Sequence, residues 1–436
     1  MKKQRKRIYT ALLCTCFLFS TASVPVLAAE TEQEEEMTTL SSRSGEAEVS
    51  TKDELTSALG DSSISKITLK QDIAISDTLT VNRAVTLDLN GFVLQRTGND
   101  SVIKVEQDGN LTIADSNTDK EHKFFQHSNG LWVLVDDGIK TVKGGIITGG
   151  KAQNGGGVYV APGGKLKMTG GSIVGCQAKN GGGVYLDNND QTDASSEFTM
   201  TDSSIIGCTA SYLGGGVAVN PKCTFTMVND SEIRSCTARN GGGVYITSSA
   251  NGNGVFTLRN GAIFLCTAAK GGGVYNEGSF IMEDGTIKNC TAEWDWPSGG
   301  GVFNLREFTM SGGAIGEDGK DDESYVYNAA NTAAVFTISG TAKIYANVAN
   351  DSRWNADGGA IFGDVTNAVN SRFGAVIAGA GSTEFKGKVT NKGIIEKGQF
   401  TGDVTNDVGG TIKGGTFINN KVTNNLGAIL GGDFSK

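Results

Sequence analysis

A glycine triplet that returns along the chain constrains this sequence more than any other feature. The triplets recur at a nearly regular spacing, and Val-Tyr follows four of the six. Such a recurrence indicates a repeated unit that buries its core by stacking on its neighbours. The triplets begin at Gly155, Gly181, Gly214, Gly241, Gly271 and Gly299.

Each repeat also contains a Phe-Thr-Met type segment and an isoleucine segment that leads into Cys-x-Ala. Apolar and polar residues alternate in all three segments, which is typical of short strands. Glycine triplets and β-branched pairs disfavour the longer helices of a helical repeat. We therefore predict an all-β fold, a right-handed parallel β-helix (β-solenoid) with three short strands per coil.

The sequence also divides into four predicted segments. Residues 1–29 combine basic residues, a short apolar run and a small-residue cleavage pattern, as secretory signals do. Thr51 and Glu54 have the spacing of a capping box, which predicts a short N-terminal capping helix. After residue 381 phenylalanines recur at a shorter period than the earlier repeats, which predicts a narrower solenoid at the C-terminus. The predicted segments are a signal peptide (1–29), a disordered acidic linker (30–50), a β-helix (51–380) and a shorter-period solenoid (381–436).

The charge balance bears on the possible partners. Residues 1–28 hold five basic and no acidic residues, so their removal changes 38 basic and 47 acidic residues into 33 and 47, a net charge of −14. This balance argues against nucleic acid and anionic lipid as partners. No later stretch is apolar enough to span a bilayer. We expect a secreted, extracellular or cell-surface protein, and the sequence does not indicate its oligomeric state.

The Gly-Gly-Gly-Val-Tyr, Phe-Thr-Met and Cys-Thr-Ala repeats resemble the right-handed β-helix proteins of the pectate-lyase-like superfamily, especially its bacterial surface adhesins. The opening Val-Thr-Leu-Asp-Leu-Asn-Gly at residues 85–91 is similar to the first coils of that superfamily. The resemblance covers about residues 51–436. It implies the fold but not the function, because this scaffold carries adhesins, spacers, lyases and hydrolases.

Aromatic residues supply the candidate binding surface. One column follows the glycine triplets, in opposite phase to the inward valines, and we expect it to be exposed. It would stack on sugar rings or contact a protein, or else only stabilise coil-to-coil packing. Trp294 and Trp296, on a polar loop, are a second binding candidate or a cover for the corner. The predicted column consists of Tyr159, Tyr185, Tyr245, Tyr275, Phe303 and Phe362, with Ala218 as a gap.

Five cysteines form another column. Stacked coils would give their side chains parallel directions, which is poor geometry for a disulfide. No histidine lies nearby to complete a metal site. We therefore expect buried small hydrophobic side chains. The five are Cys176, Cys208, Cys236, Cys266 and Cys290.

The sequence shows no convincing catalytic group. A lyase would need an acidic calcium cluster with a base, and a hydrolase would need paired carboxylates. Two aspartate groups offer calcium ligands, but both lie in insertions rather than on strands. We expect a non-enzymatic, adhesin-like binding or spacer module without a cofactor, with a glycan or a host or bacterial surface protein as partner. The alternative is a polysaccharide lyase or glycoside hydrolase. The aspartates are Asp187, Asp190 and Asp193, and Asp318, Asp321 and Asp322.

Overall fold

The fold is a right-handed parallel β-helix, as predicted. The computed structural model describes residues 42–43, 45–188, 194–293, 297–320, 322–331, 333–368 and 375–434. Three long sheets, here called faces A, B and C, are built from one strand of each coil. Successive coils pair in register, so the same repeat position stacks from coil to coil.

Face A carries the Phe-Thr-Met segments. Its first two strands are antiparallel, and all later neighbours are parallel. Its strands are Ser42–Arg43, Glu46–Val49, Lys66–Leu69, Ala84–Asp88, Asn110–Ala114, Lys165–Met168, Glu197–Thr201, Thr224–Val228, Val255–Leu258, Ser279–Met282, Glu307–Met310, Val335–Ile338, Arg353–Ala356, Val376–Ala378, Ile394–Ile395, Thr411–Ile412 and Ala428–Ile429.

Face B carries the isoleucine segments. Its strands are Ile73–Ile75, Val93–Arg96, Ile146–Thr148, Ser172–Val174, Ser204–Ile206, Glu232–Arg234, Ala262–Phe264, Thr286–Lys288, Ala314–Ile315, Lys343–Ile344, Ala360–Ile361, Glu384–Phe385, Gln399–Phe400 and Thr416–Phe417.

Face C carries the segments that follow the glycine triplets. Its strands are Leu79–Val81, Ile103–Val105, Val158–Val160, Val184–Leu186, Val217–Val219, Val244–Ile246, Val274–Asn276, Val302–Asn304, Val326–Asn328, Val348–Asn350, Val365–Asn367, Val389–Asn391, Val404–Asn406 and Val422–Asn424.

The structure adds a fourth sheet that the three-strand prediction did not contain. This sheet, here called ribbon D, lies between faces B and C in six coils. Its strands are Lys151–Asn154, Gln177–Asn180, Thr209–Leu213, Thr237–Asn240, Thr267–Lys270 and Thr291–Ala292. The sequence pattern does not separate this sheet, because Cys-x-Ala follows directly on the isoleucine segment of each repeat.

Two antiparallel additions interrupt the coils. One is a three-stranded sheet, here called the insert, with strands Glu121–Gln126, Trp132–Leu134 and Lys140–Lys143. The other is a small hairpin of Ser248–Ser249 and Gly252–Asn253.

The N-terminal end is capped as expected, but the β-structure begins earlier. Helix α1, Lys52–Gly60, starts at the capping box of Thr51 and Glu54 and buries one apolar side. Strand Glu46–Val49 lies inside the segment expected to be a linker, because Ala47 and Val49 alternate inward between its glutamates. None of the described helices has the length and apolar character of a membrane span.

The C-terminal coils become shorter without losing a face. One coil runs from the start of the face A strand at Val335 to the start of the next at Arg353. This coil already contains fewer residues than the coils with glycine triplets. The shortening therefore begins before the expected boundary at 381. The later face A strands begin at Val376, Ile394 and Thr411, so these coils are short as well. Faces A, B and C all continue through them.

Stacked side chains fill the core. Phenylalanines of face A lie over one another with ring centroids 4.7 to 5.1 Å apart. Such pairs add about 0.5–1.5 kcal/mol each beyond their buried area. The cysteine column is buried and its thiols are free, so the prediction of small hydrophobic side chains is confirmed.

The glycine triplets are required at the corner between ribbon D and face C. Gly155 has a φ of +63°, a left-handed conformation that glycine adopts without a Cβ penalty. A Cβ on Gly156 would lie 2.5 Å from the carbonyl oxygens of Gln177 and Gly182 in the next coil. The triplets therefore allow the close backbone approach on which the stacking depends.

Candidate binding site

The predicted aromatic column lies on the outer side of face C. The middle residue of each strand pairs in register with its equivalents, so Lys104, Tyr159 and Tyr185 stand one above another. The rings of Tyr159 and Tyr185 stack with centroids 5.9 Å apart. Ala218 follows and interrupts the column, as expected. Phe362 does not belong to the column, because it follows the face B strand Ala360–Ile361.

The second half of the column is buried, so the expectation of an exposed ladder is wrong there. Tyr245, Tyr275 and Phe303 are only 6%, 8% and 4% exposed. Their rings stack within a cluster that Leu213 and Leu305 cover. The alternation of the sequence predicts that these rings point outward. It does not predict that side chains from other parts of the coils cover them.

The tyrosine hydroxyls have acidic partners from the next coil. Tyr159 Oη donates to Asp187 at 2.5 Å, and Tyr245 Oη donates to Glu277 at 2.6 Å. Each carboxylate belongs to the residue directly after a face C strand. Burial raises the pKa of both tyrosines, and the neighbouring carboxylates raise it further. These contacts hold the rings in fixed orientations.

A polar cleft of about 360 Å³ lies beside Tyr159, where the column is only half-buried. Lys104 Nζ is 2.8 Å from Glu106 Oε1 and 5.8 Å from the centroid of the Tyr159 ring. One aromatic ring thus borders hydroxyl, amide and charged groups of both signs. The lining residues are Thr78, Thr80, Asp100, Ser101, Lys104, Glu106, Gln153, Asn154 and Tyr159.

Hydrogen bonds fix the rim of this cleft. Thr78 Oγ1 donates to the Ser101 carbonyl at 2.8 Å, and Ser101 Oγ donates to the Asn154 carbonyl at 3.1 Å. Asn180 Nδ2 donates to Asn154 Oδ1 at 2.9 Å, so the next coil supports the rim as well. A preformed site of this kind loses little conformational freedom when a ligand binds.

The aromatic column of the sequence predicts Tyr159 as a site residue but does not predict the polar lining of the cleft. Thr80 and Lys104 occupy the same strand position as the tyrosines, which was the available signal. Gln153 and Asn154 precede the first glycine triplet, on ribbon D. Trp294 and Trp296 lie outside the described residues, so their part in binding stays a prediction.

Of the six aspartates considered for calcium, only Asp187, Asp318 and Asp322 lie in the described part of the chain, so the calcium hypothesis stays a prediction. Asp322 accepts from the backbone N–H groups of Asn289 and Ser324, at 2.9 and 2.8 Å. Asp187 is engaged by Tyr159 and Asn220. Among the described residues, no group of three or more His, Cys, Asp or Glu side chains could hold a metal ion. Asp190, Asp193 and Asp321 lie outside those residues, and Asp318 is exposed.

One comparison with known proteins gives a match. Residues 46–143 match the family model described as "Putative pectate lyase-like adhesive domain". No curated protein matches the chain, and no solved structure matches it. The matched segment holds the first coils and the insert, and it supplies Thr78 to Glu106 of the cleft. The match and the parallel coils together support an adhesin-like β-helix.

Proposed function

We propose that this chain is a secreted or cell-surface adhesin-like β-helix that binds glycans through the cleft beside Tyr159. The observation that carries the proposal is an aromatic ring held at the edge of a preformed, mostly polar cleft. Aromatic faces pack against the C–H faces of sugars, while hydroxyl and amide groups hydrogen-bond their hydroxyls. The match to an adhesive domain supports binding over turnover, and the signal-like residues 1–29 support export.

The charges of the cleft favour a glycan without strong net charge. Lys104 and Glu106 form an ion pair within the lining, so the cleft presents both signs at short range. Asp100 adds a second carboxylate. A strongly anionic chain would meet these two carboxylates, whereas a neutral or zwitterionic sugar would pair with all three groups.

The proposal is tested by binding of the purified chain to immobilised glycans. Tyr159→Ala should weaken binding by about tenfold or more, which corresponds to about 1.4 kcal/mol. Tyr159→Phe keeps the ring and should bind within a few-fold of wild type. Tyr345→Ala is the matched control, because Tyr345 is also half-buried and stacks on an aromatic ring, Phe362, outside the cleft.

The same panel tests the enzymatic alternative. Wild-type protein would be incubated with the polysaccharides, with and without calcium, and new reducing or unsaturated ends would be measured. Turnover would contradict the binding-module proposal. Equal binding by wild type and Tyr159→Ala would contradict the assignment of the cleft.

The tryptophan loop is tested separately. We retain Trp294 and Trp296 as a proposed contact surface, because paired tryptophans on a polar segment are frequent in binding surfaces. The double change to alanine should weaken glycan or surface-protein binding without changing the thermal midpoint. Unchanged binding would remove the pair from the proposal.

A further inference from the structure

The insert is anchored firmly to the outside of face B. Trp132 packs with Phe124 in an apolar cluster, and the guanidinium of Arg234 lies 5.2 Å from the centroid of its indole ring. The backbone N–H of Trp132 donates to the Gly207 carbonyl at 3.2 Å. A Cβ on Gly175 would come within 1.7 Å of the Trp132 carbonyl oxygen, so this corner leaves room only for glycine.

This anchoring places the turn of the insert, residues 127–131, over ribbon D. Gly130 has a φ of +87°, and a Cβ there would lie 2.4 Å from Thr237 Oγ1. Between the turn and the coils lies a cleft of about 250 Å³. The coil side of the cleft is formed by Ser235, Thr237, Leu265, Thr267 and Glu293.

The lining of this cleft is rich in neutral hydrogen-bonding groups. The turn side contributes the amides of Gln126 and Asn129 and the Ser128 hydroxyl. Thr237 and Thr267 pair in register on ribbon D, so their positions repeat at the coil spacing of ~4.8 Å. Among the described residues of the lining, Glu293 is the one charged side chain, so this part of the cleft offers no cation to an anionic ligand.

Leu265 is the unusual residue of the cleft. It has a φ of +56° and its side chain is 54% exposed. Packing in the core therefore does not account for a leucine at this position. Equivalent corners use Gly175, Gly207, Ser235 and Asn289, also with positive φ. Bulky side chains are uncommon in this conformation, and such backbone strain is concentrated at functional sites.

We propose that this cleft is a second binding site, which takes an uncharged oligosaccharide with one sugar face on Leu265 and sugar hydroxyls on Thr237, Thr267 and the insert amides. Leucine supplies the apolar contact that glycine, serine or asparagine at the same corner could not provide. The inference does not rest on the cleft beside Tyr159. A peptide fits less well, because the middle strands of ribbon D already pair on both sides and offer no free edge.

The test measures binding of the full chain to neutral hexasaccharides of β-1,4-linked glucose, xylose and mannose, with a galacturonate hexamer for comparison. Saturable binding of at least one neutral probe is expected. Leu265→Gly should weaken it by about tenfold. The thermal midpoint should stay the same or rise, because glycine adopts positive φ freely. Gly130→Ala should also weaken binding, since it pushes the turn away from Thr237.

Leu426→Gly is the matched control. Leu426 is also an exposed leucine with positive φ, at +66° and 88% exposure, but it is not part of the cleft. The control should change stability in the same direction as Leu265→Gly and leave binding within twofold. Equal loss of binding in both variants would overturn the inference, as would no binding of any neutral probe or unchanged binding by Leu265→Gly.

The two proposed sites can fail independently. If Tyr159→Ala abolishes all binding of the neutral probes, this second site is wrong and the cleft beside Tyr159 stands. If Leu265→Gly abolishes binding and Tyr159→Ala does not, the second site stands and the first assignment fails.

Discussion

A single asparagine position shows how much one side chain can contribute in a repeated fold. The last residue of eight successive face C strands is asparagine, and each Nδ2 donates to the Oδ1 of the next at 2.7 or 2.8 Å. All but the last are fully buried, and buried amides need such partners. The eight are Asn276, Asn304, Asn328, Asn350, Asn367, Asn391, Asn406 and Asn424.

Asn328→Ala should destabilise the β-helix by about 2–4 kcal/mol, because it removes one hydrogen-bond partner from each of the buried amides of Asn304 and Asn350. Asn328 accepts from Asn304 and donates to Asn350 and to the Arg353 carbonyl. The free energy of unfolding in urea measures the effect. Asn424 lies at the exposed end of the same row of asparagines, so Asn424→Ala should lower the free energy of unfolding by about 1 kcal/mol or less. Equal losses of unfolding free energy in the two variants would contradict a stabilising contribution from the buried asparagine hydrogen bonds.

The sequence contained part of this information. Val-Thr-Asn recurs in the last coils, and Val-Tyr-Asn and Val-Phe-Asn occupy the same place in earlier coils, but the changing middle residue hides the continuity of the asparagines. The strain at Leu265 could not be predicted, because the sign of φ depends on the corner that ribbon D adds. The burial of Tyr245 likewise depends on Leu213, which belongs to a neighbouring element.

The insert is the element that the repeat pattern of the sequence does not predict. Its alternating strands look like further coil strands, and only the antiparallel pairing distinguishes them. A signal was nevertheless present in face B, where adjacent residues such as Ile146 and Ile147 are both apolar and both buried. One of each such pair points inward and the other outward, so the outer side of those coils had to be covered.

Trp132→Ala should release the insert and leave the coils folded. Removing a buried tryptophan costs about 3–5 kcal/mol, and here that cost falls on the contact between the insert and face B. Hydrogen exchange should show lost protection for residues 121–143 and unchanged protection in distant coils. Trp354→Ala is the control, because Trp354 lies in the shared core and its loss should weaken the whole stack. Uniform loss of protection in Trp132→Ala would contradict a separable insert.

The glycine period was sufficient to predict the repeated fold, because it specifies both the stacking and the corner. It could not predict the clefts, which form where non-repeating residues meet the coils. Lys104 and Glu106 come from a coil before the first triplet, and the turn of the insert comes from outside the repeat. The repeats therefore determine the scaffold, and the departures from repetition determine the candidate sites.

The buried tyrosines of face C should make the β-helix sensitive to alkali. Burial raises the pKa of Tyr245, Tyr275 and Tyr327 well above the ordinary value of about 10. Above that pH the unfolded chain loses protons that the folded chain keeps. The stability that these tyrosines contribute is thus fully present below about pH 10 and falls by about 1.4 kcal/mol per pH unit for each of them as the pH rises further. Urea unfolding at increasing pH should show this slope.

Tyr245→Phe supplies the comparison for the alkaline experiment. It removes one titrating hydroxyl, so its stability should fall less steeply above pH 10 than that of wild type. Parallel curves for the two proteins would contradict the assignment of the slope to these tyrosines.

The cysteine column also supplies a set of internal probes. The thiolate is the reactive form of cysteine, and burial holds the pKa of Cys208, Cys236 and Cys266 well above its ordinary value. A thiol reagent can therefore reach each sulfur only when its own coil opens. Because neighbouring coils carry one such cysteine each, the order in which they become labelled reports which part of the stack opens first, without any engineered reporter.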